Sequence, residues 1–490
     1  MSIERYRGFI DDWGAFTRSL STPEPETLRV NRSRTDARTL ARRLARKGFE
    51  LVPAEGVEDV LTVERGPCPL SATVEHWLGD FYIQRTSTCV AAPALAPLPG
   101  ERVLDLCAAP GGKAGHLADL IGPAGCVVAN EVNELRARGL LGNIYRMGHA
   151  NFAVTVGDGR ALPESSTFDR VLADVPCSGE GTARRKGGRI RSAPASFARH
   201  LAGKQRGLLA KAIRLVRPGG TVLYVTCTFA PEENEAVVAD ALAGEPVEVV
   251  PLSLGVPSAP GLTEFDGVSY GSELAGTARV YPHHLDSGGL YMAKLVKLGN
   301  EEARGWGPVD PGGRAESERE LAGLAEAEMT GRFGVAAPVL EKMRWRERGG
   351  RLWLHSLREW PSWLGDEAAS GVHGSHPDGV RLAAIGFRAM EFDSRGRPRP
   401  TNDLLRGLDR EITERIVDTD LDGLSTLLAG ESLPLTPAHA LGPHALRVGG
   451  DVMGRVAATR QGLRSEISRV RARELLRVGR FRERVNRTRS

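Results

Sequence analysis

Strand and helix patterns alternate between about residues 100 and 298, and this alternation limits the possible folds more than any other feature of the chain. Short apolar runs that are typical of buried strands are separated by longer stretches in which apolar residues recur at helical spacing. The runs are ERVLDL, CVVANEV, FAVTVGD, DRVLADVP and TVLYVTCTF. Such alternation predicts an α/β domain with a parallel sheet and helices on both faces.

A glycine-rich turn, residues 107–113 (CAAPGGK), follows the first strand and leads into a helix. Small residues let the backbone approach a ligand closely, and amide groups at the helix start favour a negatively charged group such as a carboxylate. Glu131 ends the next strand about 19 residues after Gly112, where an acid binds ribose hydroxyls in this architecture. Asp158, after the following strand, could hold the amino group of a base. The turn fits neither G-x-G-x-x-G nor G-x-x-x-x-G-K-[ST], which argues against a dinucleotide or triphosphate.

Two cysteine segments follow two further strands of the predicted sheet. The segment DVPC contains Asp174 and Cys177, and the segment TCT contains Cys227. The carboxyl ends of parallel strands share one edge, so we expect these side chains in the same cleft as the glycine-rich turn. The alternative is a pair of buried structural cysteines.

Two cysteines and an aspartate suit the methylation of cytosine. Carbon 5 of cytosine is a poor nucleophile, but a thiolate that adds to carbon 6 lets carbon 5 attack an electrophilic methyl group. A carboxyl group near N3 would accept the electron flow, and a base must later remove the proton at carbon 5. Asp174 would disfavour a nearby thiolate unless it is protonated or screened. Spacing alone does not decide which cysteine attacks.

Basic residues cluster just after the first cysteine segment and predict a flexible loop that contacts phosphates, with a solvated surface loop as the alternative. They are Arg184, Arg185, Lys186, Arg189 and Arg191. A second basic run lies at residues 464–490, where ten arginines face three glutamates although the whole chain carries only +4. This asymmetry indicates a polyanionic partner.

Composition excludes several classes of protein. None of the six cysteines forms a C-x-x-C pair, so the sequence does not support a structural zinc site, and we expect neither disulfides nor a metal. The chain contains no run of about 18 apolar residues and no signal-peptide pattern at its start, so we expect no membrane span and a cytoplasmic location.

The chain divides into five predicted parts. Residues 1–90 form a small α+β lead-in region, with a capped helix of basic outer face over Thr35–Phe49. Residues 91–298 form the catalytic domain, and residues 299–328, rich in Gly, Pro and charge, form a linker. Short strand patterns over 329–463 predict a β-rich domain, and 464–490 form an arginine-rich tail.

These motifs resemble the Sun family of S-adenosylmethionine-dependent RNA cytosine-5 methyltransferases over roughly residues 25 to 298. The matching elements are Arg29-Val30-Asn31, Gln84, VLDLCAAPGGK, Glu131, Asp158, DVPCSGEGTARR, Pro218-Gly219-Gly220, TCTFAPEENE, Arg279, Pro282, His283 and GLYMAKLVK. More weakly, the C-terminal region resembles the PUA-like RNA-binding domains of bacterial members that modify ribosomal RNA.

The resemblance implies a Rossmann-like methyltransferase sheet that binds S-adenosylmethionine. It implies that Cys227 is the nucleophile, that Cys177 assists product release and that Asp174 contacts N3 of cytosine. The implied cofactor-binding residues are Cys107, Ala108, Ala109, Pro110, Gly111, Gly112, Lys113, Glu131, Asp158 and Asp174.

The expected function is methyl transfer to carbon 5 of cytosine in RNA, with ribosomal RNA favoured, by a monomer. Transfer RNA is the alternative substrate. Two other classes stay open: a non-catalytic RNA-binding assembly factor on the same fold, and a methyltransferase for DNA or a small molecule.

Overall fold

The fold was determined as a computed structural model, which describes residues 3–165, 167–186, 195–308, 316–364, 379–437, 439–473 and 475–476. It is a mixed α/β structure built around one large sheet, so the predicted fold class is confirmed. None of the helices in the described ranges has the length and apolar character needed to span a bilayer.

The N-terminal part contains a small antiparallel sheet covered by helices. Its strands are β1 (Thr27–Val30), β2 (Glu50–Pro53), β3 (Val60–Arg65) and β4 (Phe81–Ile83), and its helices are α1 (Trp13–Ser21), α2 (Ala37–Ala45) and α3 (Val74–Leu78). The strand order is β2-β3-β1-β4. Helix α2 is the predicted amphipathic helix, and its N-cap is Asp36, whose side chain accepts the Thr39 N–H.

The predicted catalytic part contains most of the large sheet and a separate sheet of two short strands, Glu264–Phe265 and Val268–Ser269. Its strands are β5 (Arg102–Asp105), β6 (Cys126–Glu131), β7 (Phe152–Val156), β8 (Phe168–Asp174), β9 (Val216–Thr226), β10 (Val247–Val250), β11 (Ala259–Pro260), β12 (Glu264–Phe265), β13 (Val268–Ser269), β14 (Ala278–Val280) and β15 (Leu290–Lys297). Its helices are α4 (Thr86–Cys89), α5 (Ala91–Leu95), α6 (Gly112–Ile121), α7 (Glu134–Met147), α8 (Ala195–Leu215), α9 (Glu235–Gly244) and α10 (Pro282–Leu285).

Five strands at the centre of the large sheet are parallel, in the order β7-β6-β5-β8-β9, and β15 extends it antiparallel to β9. All residues of β6 and β7 are buried, because helices cover both faces of a parallel sheet. This explains why the strands appear in the sequence as nearly continuous apolar runs.

The C-terminal part is rich in short strands. They are β16 (Trp306–Pro308), β17 (Arg344–Glu347), β18 (Leu352–His355), β19 (Glu359–Pro361), β20 (Arg381–Ile385), β21 (Phe387–Phe392), β22 (Pro398–Pro400), β23 (Ile416–Thr419), β24 (Gly442–Val448), β25 (Asp451–Thr459) and β26 (Gly462–Ser465). The helices are α11 (Glu316–Gly331), α12 (Ala337–Glu341), α13 (Asn402–Gly407) and α14 (Leu421–Leu428). Strands β17-β18-β21-β22 and β23-β24-β25-β26 form two sheets, and β20 pairs antiparallel with β7 in the large sheet.

Two predicted segments differ from the structure. The region predicted as a linker contains β16 and most of α11, because Ala322, Ala325 and Met329 of that helix supply apolar side chains to the C-terminal core. The predicted tail begins inside the fold: Arg464 lies in β26, and Ile467 is buried. The remaining domain boundaries stay predictions.

The Arg29-Val30-Asn31 motif fixes the N-terminal sheet to the catalytic part. Arg29 is buried, and its Nη1 donates to Asp119 Oδ2 of α6 at 2.5 Å. Asn31 Nδ2 donates to the carbonyl oxygens of Gly79 and Met147 at 2.8 Å each. Buried charge pairs are costly to break, so this motif has a structural role.

Candidate active site

The predicted site residues lie at one edge of the large sheet, where its parallel strands end. Strand β5 ends at Asp105 before the glycine-rich turn, β6 ends at Glu131, β8 ends at Asp174 and β9 ends at Thr226. These four strands are neighbours in the order β6-β5-β8-β9. Their carboxyl ends therefore bring together the turn, the acid and both cysteine segments, as expected for an open α/β sheet.

The two cysteine thiols are in direct contact. We call residues 175–186 the first cysteine loop and residues 227–234 the second cysteine loop. Cys177 Sγ and Cys227 Sγ are 3.2 Å apart, and the Cys227 N–H also donates to Cys177 Sγ at 3.2 Å. Both thiols are free and half-buried. They are therefore close enough to share one proton.

A close backbone crossing holds the two loops together. The Gly181 N–H donates to the Cys227 carbonyl oxygen at 2.9 Å, and the Gly289 N–H donates to the Gly181 carbonyl oxygen at 2.9 Å. A Cβ atom on Gly181 would lie 2.5 Å from the Gly289 oxygen, so only glycine fits here. Gly181 and Gly289 both fall in motifs of the Sun-family resemblance, DVPCSGEGTARR and GLYMAKLVK.

The shared proton resides on Cys177. The hydrogen bond from Cys177 lowers the pKa of Cys227, although burial opposes this change. The nearby charges of Lys113 and Arg85 also lower the Cys227 pKa, whereas Asp174 raises it. For Cys177, the same bond and burial raise the pKa well above that of an ordinary thiol. Of the two thiols, Cys227 is therefore the more acidic one and loses its proton first, and the thiolate is the reactive form of cysteine.

Lys113 neutralises the aspartate beside this thiolate. Lys113 Nζ donates to Asp174 Oδ2 at 2.6 Å. Burial alone would lower the pKa of Lys113. The nearby negative charges, above all that of Asp174, more than offset this effect, so the pKa of Lys113 is raised. The ion pair thus supplies the screening that a thiolate on Cys227 needs. The sequence predicted Lys113 only as part of the cofactor turn, because nothing in the spacing signals a contact between the first turn of α6 and the end of β8.

Asp105 is a buried acid that sequence reasoning did not select. Burial, together with the charge of Asp174, raises the pKa of Asp105 to about 8. The group is therefore mostly protonated at neutral pH. Its only sequence signal was an aspartate inside an otherwise apolar strand, directly before the glycine-rich turn.

The glycine-rich turn lies against α7 and the N-terminal sheet. Gly111 has a φ of 106° and precedes α6, and a Cβ atom there would lie 2.9 Å from the Leu140 side chain. Asn143 Nδ2 donates to the Pro110 carbonyl oxygen at 2.9 Å. Burial and nearby acids raise the pKa of Cys107 well above the usual value, so this third thiol near the cleft is not the reactive one.

The two candidate cofactor acids differ in their surroundings. Glu131 is buried; its Oε1 accepts the Asn133 N–H at 2.9 Å, while its Oε2 accepts no hydrogen bond from the described part of the chain. Asp158 is half-exposed, and the Arg160 guanidinium donates to it at 2.6 Å, which lowers the pKa of Asp158. Arg136 Nη1 lies 3.4 Å from both Glu131 oxygens, so each acid has an arginine neighbour. Glu131 differs in that its Oε2 is buried and still has capacity to accept a hydrogen bond from a ligand.

The predicted cationic loop requires a correction at Arg184. This residue is buried; its guanidinium donates to the Pro23 carbonyl oxygen at 2.8 Å and pairs with Asp286 at 2.7 Å. Arg184 therefore attaches the first cysteine loop to Pro23 and to Asp286, and it is not exposed for contact with RNA. Arg185 and Lys186 lie in the 3₁₀ helix Glu180–Lys186. Arg189 and Arg191 lie outside the described residues.

Comparison with known proteins identifies the family. A family model described as 16S rRNA methyltransferase RsmB/F matches residues 92–296. Ribosomal RNA small subunit methyltransferase F of Klebsiella pneumoniae is 32% identical over 391 residues, which cover 78% of this chain and 77% of that protein. The chain belongs to the RsmB/F family. Its resemblance to Sun-type RNA methyltransferases is confirmed.

Other relatives of the RsmB/F chain include longer proteins. The Caenorhabditis elegans 26S rRNA (cytosine-C(5))-methyltransferase nsun-1 is 35% identical over 316 residues, 63% of this chain and 46% of that protein. The chain thus spans less than half the length of this relative. A solved methyltransferase homolog from Pyrococcus horikoshii is 32% identical with a TM-score of 0.54, covering 60% of this chain and 94% of the solved one. The solved relative supports the methyltransferase fold.

Proposed function

We propose that this chain transfers a methyl group from S-adenosylmethionine to carbon 5 of cytosine in ribosomal RNA. The observation that carries the proposal is the cysteine pair, whose sulfur atoms lie 3.2 Å apart, with the pKa of Cys227 lowered and that of Cys177 raised by their hydrogen bond. The pair lies beside the Lys113–Asp174 ion pair in a family whose matching model is an rRNA methyltransferase. Relatives named as rRNA cytosine-C5 methyltransferases support the choice of base and RNA.

The reaction begins with Cys227. Its thiolate forms a bond to carbon 6 of cytosine, and the electrons of the ring double bond move toward N3. Asp174 would contact N3, and the proton on Lys113 Nζ, 2.6 Å from Asp174 Oδ2, is available to this position. Carbon 5 would then attack the methyl group of S-adenosylmethionine, the bond from that methyl group to the sulfonium sulfur would break, and S-adenosylhomocysteine would leave. The proton near N3 would return to the Lys113–Asp174 pair. The ring regains its double bond when carbon 5 loses its proton and the sulfur leaves carbon 6.

Cys177 would change roles during the reaction. In the free site Cys177 keeps its proton because the neighbouring sulfur is a thiolate. Once Cys227 forms a thioether, that negative charge is gone, and loss of the charge lowers the pKa of Cys177. Cys177 can then release its own proton to solvent and, as a thiolate, accept the proton from carbon 5 and so assist product release. The two thiols thus divide attack and elimination between them.

The residues at the turn fit S-adenosylmethionine. Glu131 Oε2 is buried beside Arg136 Nη1, 3.4 Å away, and would accept the ribose hydroxyls. The backbone amides of Gly112 and Lys113 begin α6 and would receive a carboxylate, while the Gly111 N–H donates to the Ala108 carbonyl oxygen at 2.8 Å and shapes the turn. Asp158 would contact the amino group of the adenine beside its bond to Arg160. The small residues that would line the contact are Cys107, Ala108, Ala109 and Pro110.

Replacing Glu131 with alanine is expected to weaken S-adenosylmethionine binding strongly. A hydrogen bond to a charged group contributes about 1.5–3 kcal/mol, so loss of one bond raises the Kd about 10- to 150-fold. Titration calorimetry without RNA measures this directly. Glu134→Ala is the control, because it removes an exposed acid at the start of α7 that forms an ion pair with Arg381. Unchanged affinity in the Glu131 variant would exclude the assigned ribose contact.

RNA contacts are assigned to the N-terminal region, the basic residues Arg185, Lys186, Arg189 and Arg191, the PUA-like residues 329–463 and the arginine-rich tail. A cytosine must leave its stack to reach Cys227, so a loop or an opened helix is the favoured substrate. We assign the reaction to a cytoplasmic monomer without a metal. Transfer RNA is the competing substrate.

Removal of residues 477–490 is expected to weaken RNA binding and flatten its salt dependence. This segment carries six arginines and one glutamate. Each phosphate contact that is lost should reduce the log–log salt slope by about 0.7 on single-stranded RNA. Filter binding at several salt concentrations tests the expectation. The deletion starts after Leu475, which is buried, so the folded core is retained. Equal affinity and slope would mean that the tail is only solvated.

A methyl-transfer assay tests the proposed function. Labelled methyl groups from S-adenosylmethionine should enter ribosomal RNA and not DNA, and Cys227→Ala should be inactive. Bisulfite mapping of total RNA from a deletion strain would identify the cytosine and separate ribosomal from transfer RNA. A wild-type chain that binds RNA without transferring methyl groups would instead be an assembly factor.

A further inference from the structure

The N-terminal segment, residues 3–23, packs on both cysteine loops. The ring of Phe229, two residues beyond Cys227, lies 6.1 Å from the ring of Tyr6 and 5.4 Å from that of Phe16. All three aromatic residues are buried in one apolar cluster. The segment therefore covers part of the second cysteine loop.

Polar contacts fix the same segment at two further points. Arg184 of the first cysteine loop donates to the carbonyl oxygens of Thr22 and Pro23 at 3.2 and 2.8 Å. Asp11 lies 2.9 Å from His284 Nε2. The Nδ1 atom of His284 accepts the Tyr281 N–H at 3.2 Å, so a neutral ring has its proton on Nε2 and donates it to Asp11.

Glu180 joins three parts of the chain through one carboxylate. The Tyr6 hydroxyl donates to its two oxygens, at 2.9 and 2.7 Å. On the second cysteine loop, the Thr228 hydroxyl and the Phe229 N–H donate to Oε2 of the same group at 3.1 and 3.2 Å. Because Glu180 itself belongs to the first cysteine loop, these bonds link the N-terminal segment to both loops.

Direct bonds between the loops continue this connection toward the sulfurs. The hydroxyl groups of Ser178 and Thr228 are 2.7 Å apart, so Thr228 contacts both Ser178 and Glu180. The Ser178 N–H donates to Glu233 Oε2 at 2.9 Å. Ser178 directly follows Cys177, and Thr228 directly follows Cys227. The relative position of the two sulfurs therefore depends on these neighbouring bonds.

We propose that Tyr6 and Glu180 are positioning residues that hold the cysteine loops so that the Cys177 thiol donates its hydrogen bond to Cys227. Neither residue touches the sulfurs, and both are buried behind them. The proposal rests on the proposed function only in treating Cys227 as the nucleophile. Its test uses the full chain without RNA or S-adenosylmethionine, so it is independent of methyl transfer.

Loss of the Tyr6 hydroxyl would loosen both loops. Burial raises the pKa of Glu180, and the bonds from Tyr6, Thr228 and Phe229 oppose this rise. Without Tyr6 the carboxylate is less well solvated and accepts a proton more easily. A protonated acid has fewer acceptor sites for Thr228 and Phe229. The link between the loops would then weaken.

Other charges surround this carboxylate. Arg5 of the N-terminal segment faces it and forms an ion pair with Glu232 of the second cysteine loop. Glu233 of the same loop acts on Glu180 by charge repulsion and also raises the pKa of Cys177. These groups remain in place when only the Tyr6 hydroxyl is removed. A change in the reactivity of Cys227 in the Tyr6 variant would therefore result from loss of the Tyr6 hydroxyl and not from a change in the surrounding charges.

The test is the pH dependence of iodoacetamide alkylation at each cysteine, measured by peptide mass spectrometry. In Tyr6→Phe, the ring stays and the apparent pKa of Cys227 is expected to rise by about one pH unit, as for the loss of one hydrogen bond to a charged group. The buried Cys89 and Cys126 report the fold, because they react only when the protein opens. They are expected to stay unreactive.

Two further variants separate positioning from other effects. Tyr281→Phe removes a buried hydroxyl from the same aromatic cluster without touching Glu180, and its Cys227 profile should match the wild type. Glu180→Gln keeps the size but loses acceptor capacity, so the Cys227 pKa should rise. If Glu180 acted only through its charge, its neutralisation would lower the Cys227 pKa.

Several results would overturn the proposal. One is an unchanged Cys227 profile in a folded Tyr6→Phe protein, and another is an equal rise in Tyr281→Phe. If Cys89 and Cys126 become reactive in Tyr6→Phe, that variant has lost its fold and the test relies on Glu180→Gln instead. An unchanged or lowered Cys227 pKa in Glu180→Gln would then reject the positioning role. Failure of the proposed function would appear separately, as a wild-type chain without methyl transfer.

Discussion

Cys227→Ala is expected to abolish methyl transfer and form no covalent complex with RNA, whereas Cys177→Ala is expected to accumulate that complex. The first variant lacks the sulfur that adds to carbon 6. The second can still attack and methylate, but it lacks the group that accepts the proton from carbon 5. Denaturing electrophoresis of each variant with RNA and S-adenosylmethionine shows the complex as a slowly migrating band.

The cysteine pair adds a pH dependence to this expectation. Cys177→Ala also removes the hydrogen bond that lowers the pKa of Cys227. Its covalent band should therefore form slowly at neutral pH and faster at higher pH, where more thiolate is present. Cys68→Ala, which changes a half-buried cysteine outside the cleft, is the matched control and should behave like the wild type. A band with Cys227→Ala but not with Cys177→Ala would make Cys177 the nucleophile.

The central sheet could be predicted because its strands are buried on both faces and therefore stand out as apolar runs. Pairing over long sequence separations could not be predicted. Strand β20 joins the large sheet beside β7, far away in the sequence, and nothing in its composition selects that partner. Most of α11 falls in the segment predicted as a linker, because charged residues surround the apolar positions Ala322, Ala325 and Met329 of this helix and obscure its helical pattern.

The candidate site was predictable in its location and less so in its electrostatics. Strand ends place Glu131, Asp174 and both cysteines at one edge by topology alone. The contact of Lys113 with Asp174 depends on how far a side chain reaches from the start of α6 to the end of β8, which periodicity does not encode. For Arg184 the error is the opposite one, because the sequence predicts a contact with RNA that the buried position of this residue does not support.

Charge patterns alone do not separate a solvated arginine from a buried one. Arg184 belongs to a run of basic residues, yet its guanidinium is enclosed by carbonyl oxygens and Asp286. The roles of the two cysteines also needed more than spacing, since either sulfur could attack in a sequence-based argument. Hydrogen bonding and the nearby charge of Lys113 favour the thiolate on Cys227, in agreement with the Sun-family resemblance.

Lys113→Met and Asp174→Asn are both expected to reduce methyl transfer strongly while changing the thiol in opposite directions. Loss of a group that handles a proton in the reaction typically costs about 100- to 10,000-fold in rate. Lys113→Met leaves the Asp174 charge unscreened, so the pKa of Cys227 rises. Asp174→Asn removes that charge, so the pKa of Cys227 falls. Single-turnover methyl transfer and iodoacetamide alkylation at a series of pH values measure the two effects.

The opposite signs distinguish a chemical role of the ion pair from general damage to the site. If Lys113 serves only to screen Asp174, raising the pH should restore much of the activity of Lys113→Met, because the thiolate returns. If Lys113 also provides the proton near N3, activity should stay low even when Cys227 alkylates at the wild-type rate. Lys113→Arg keeps the charge and is the control for screening. Equal alkylation profiles in Lys113→Met, Lys113→Arg and Asp174→Asn would mean that this ion pair does not change the pKa of Cys227. The assignment of the thiolate to Cys227 would then rest only on its hydrogen bond with Cys177.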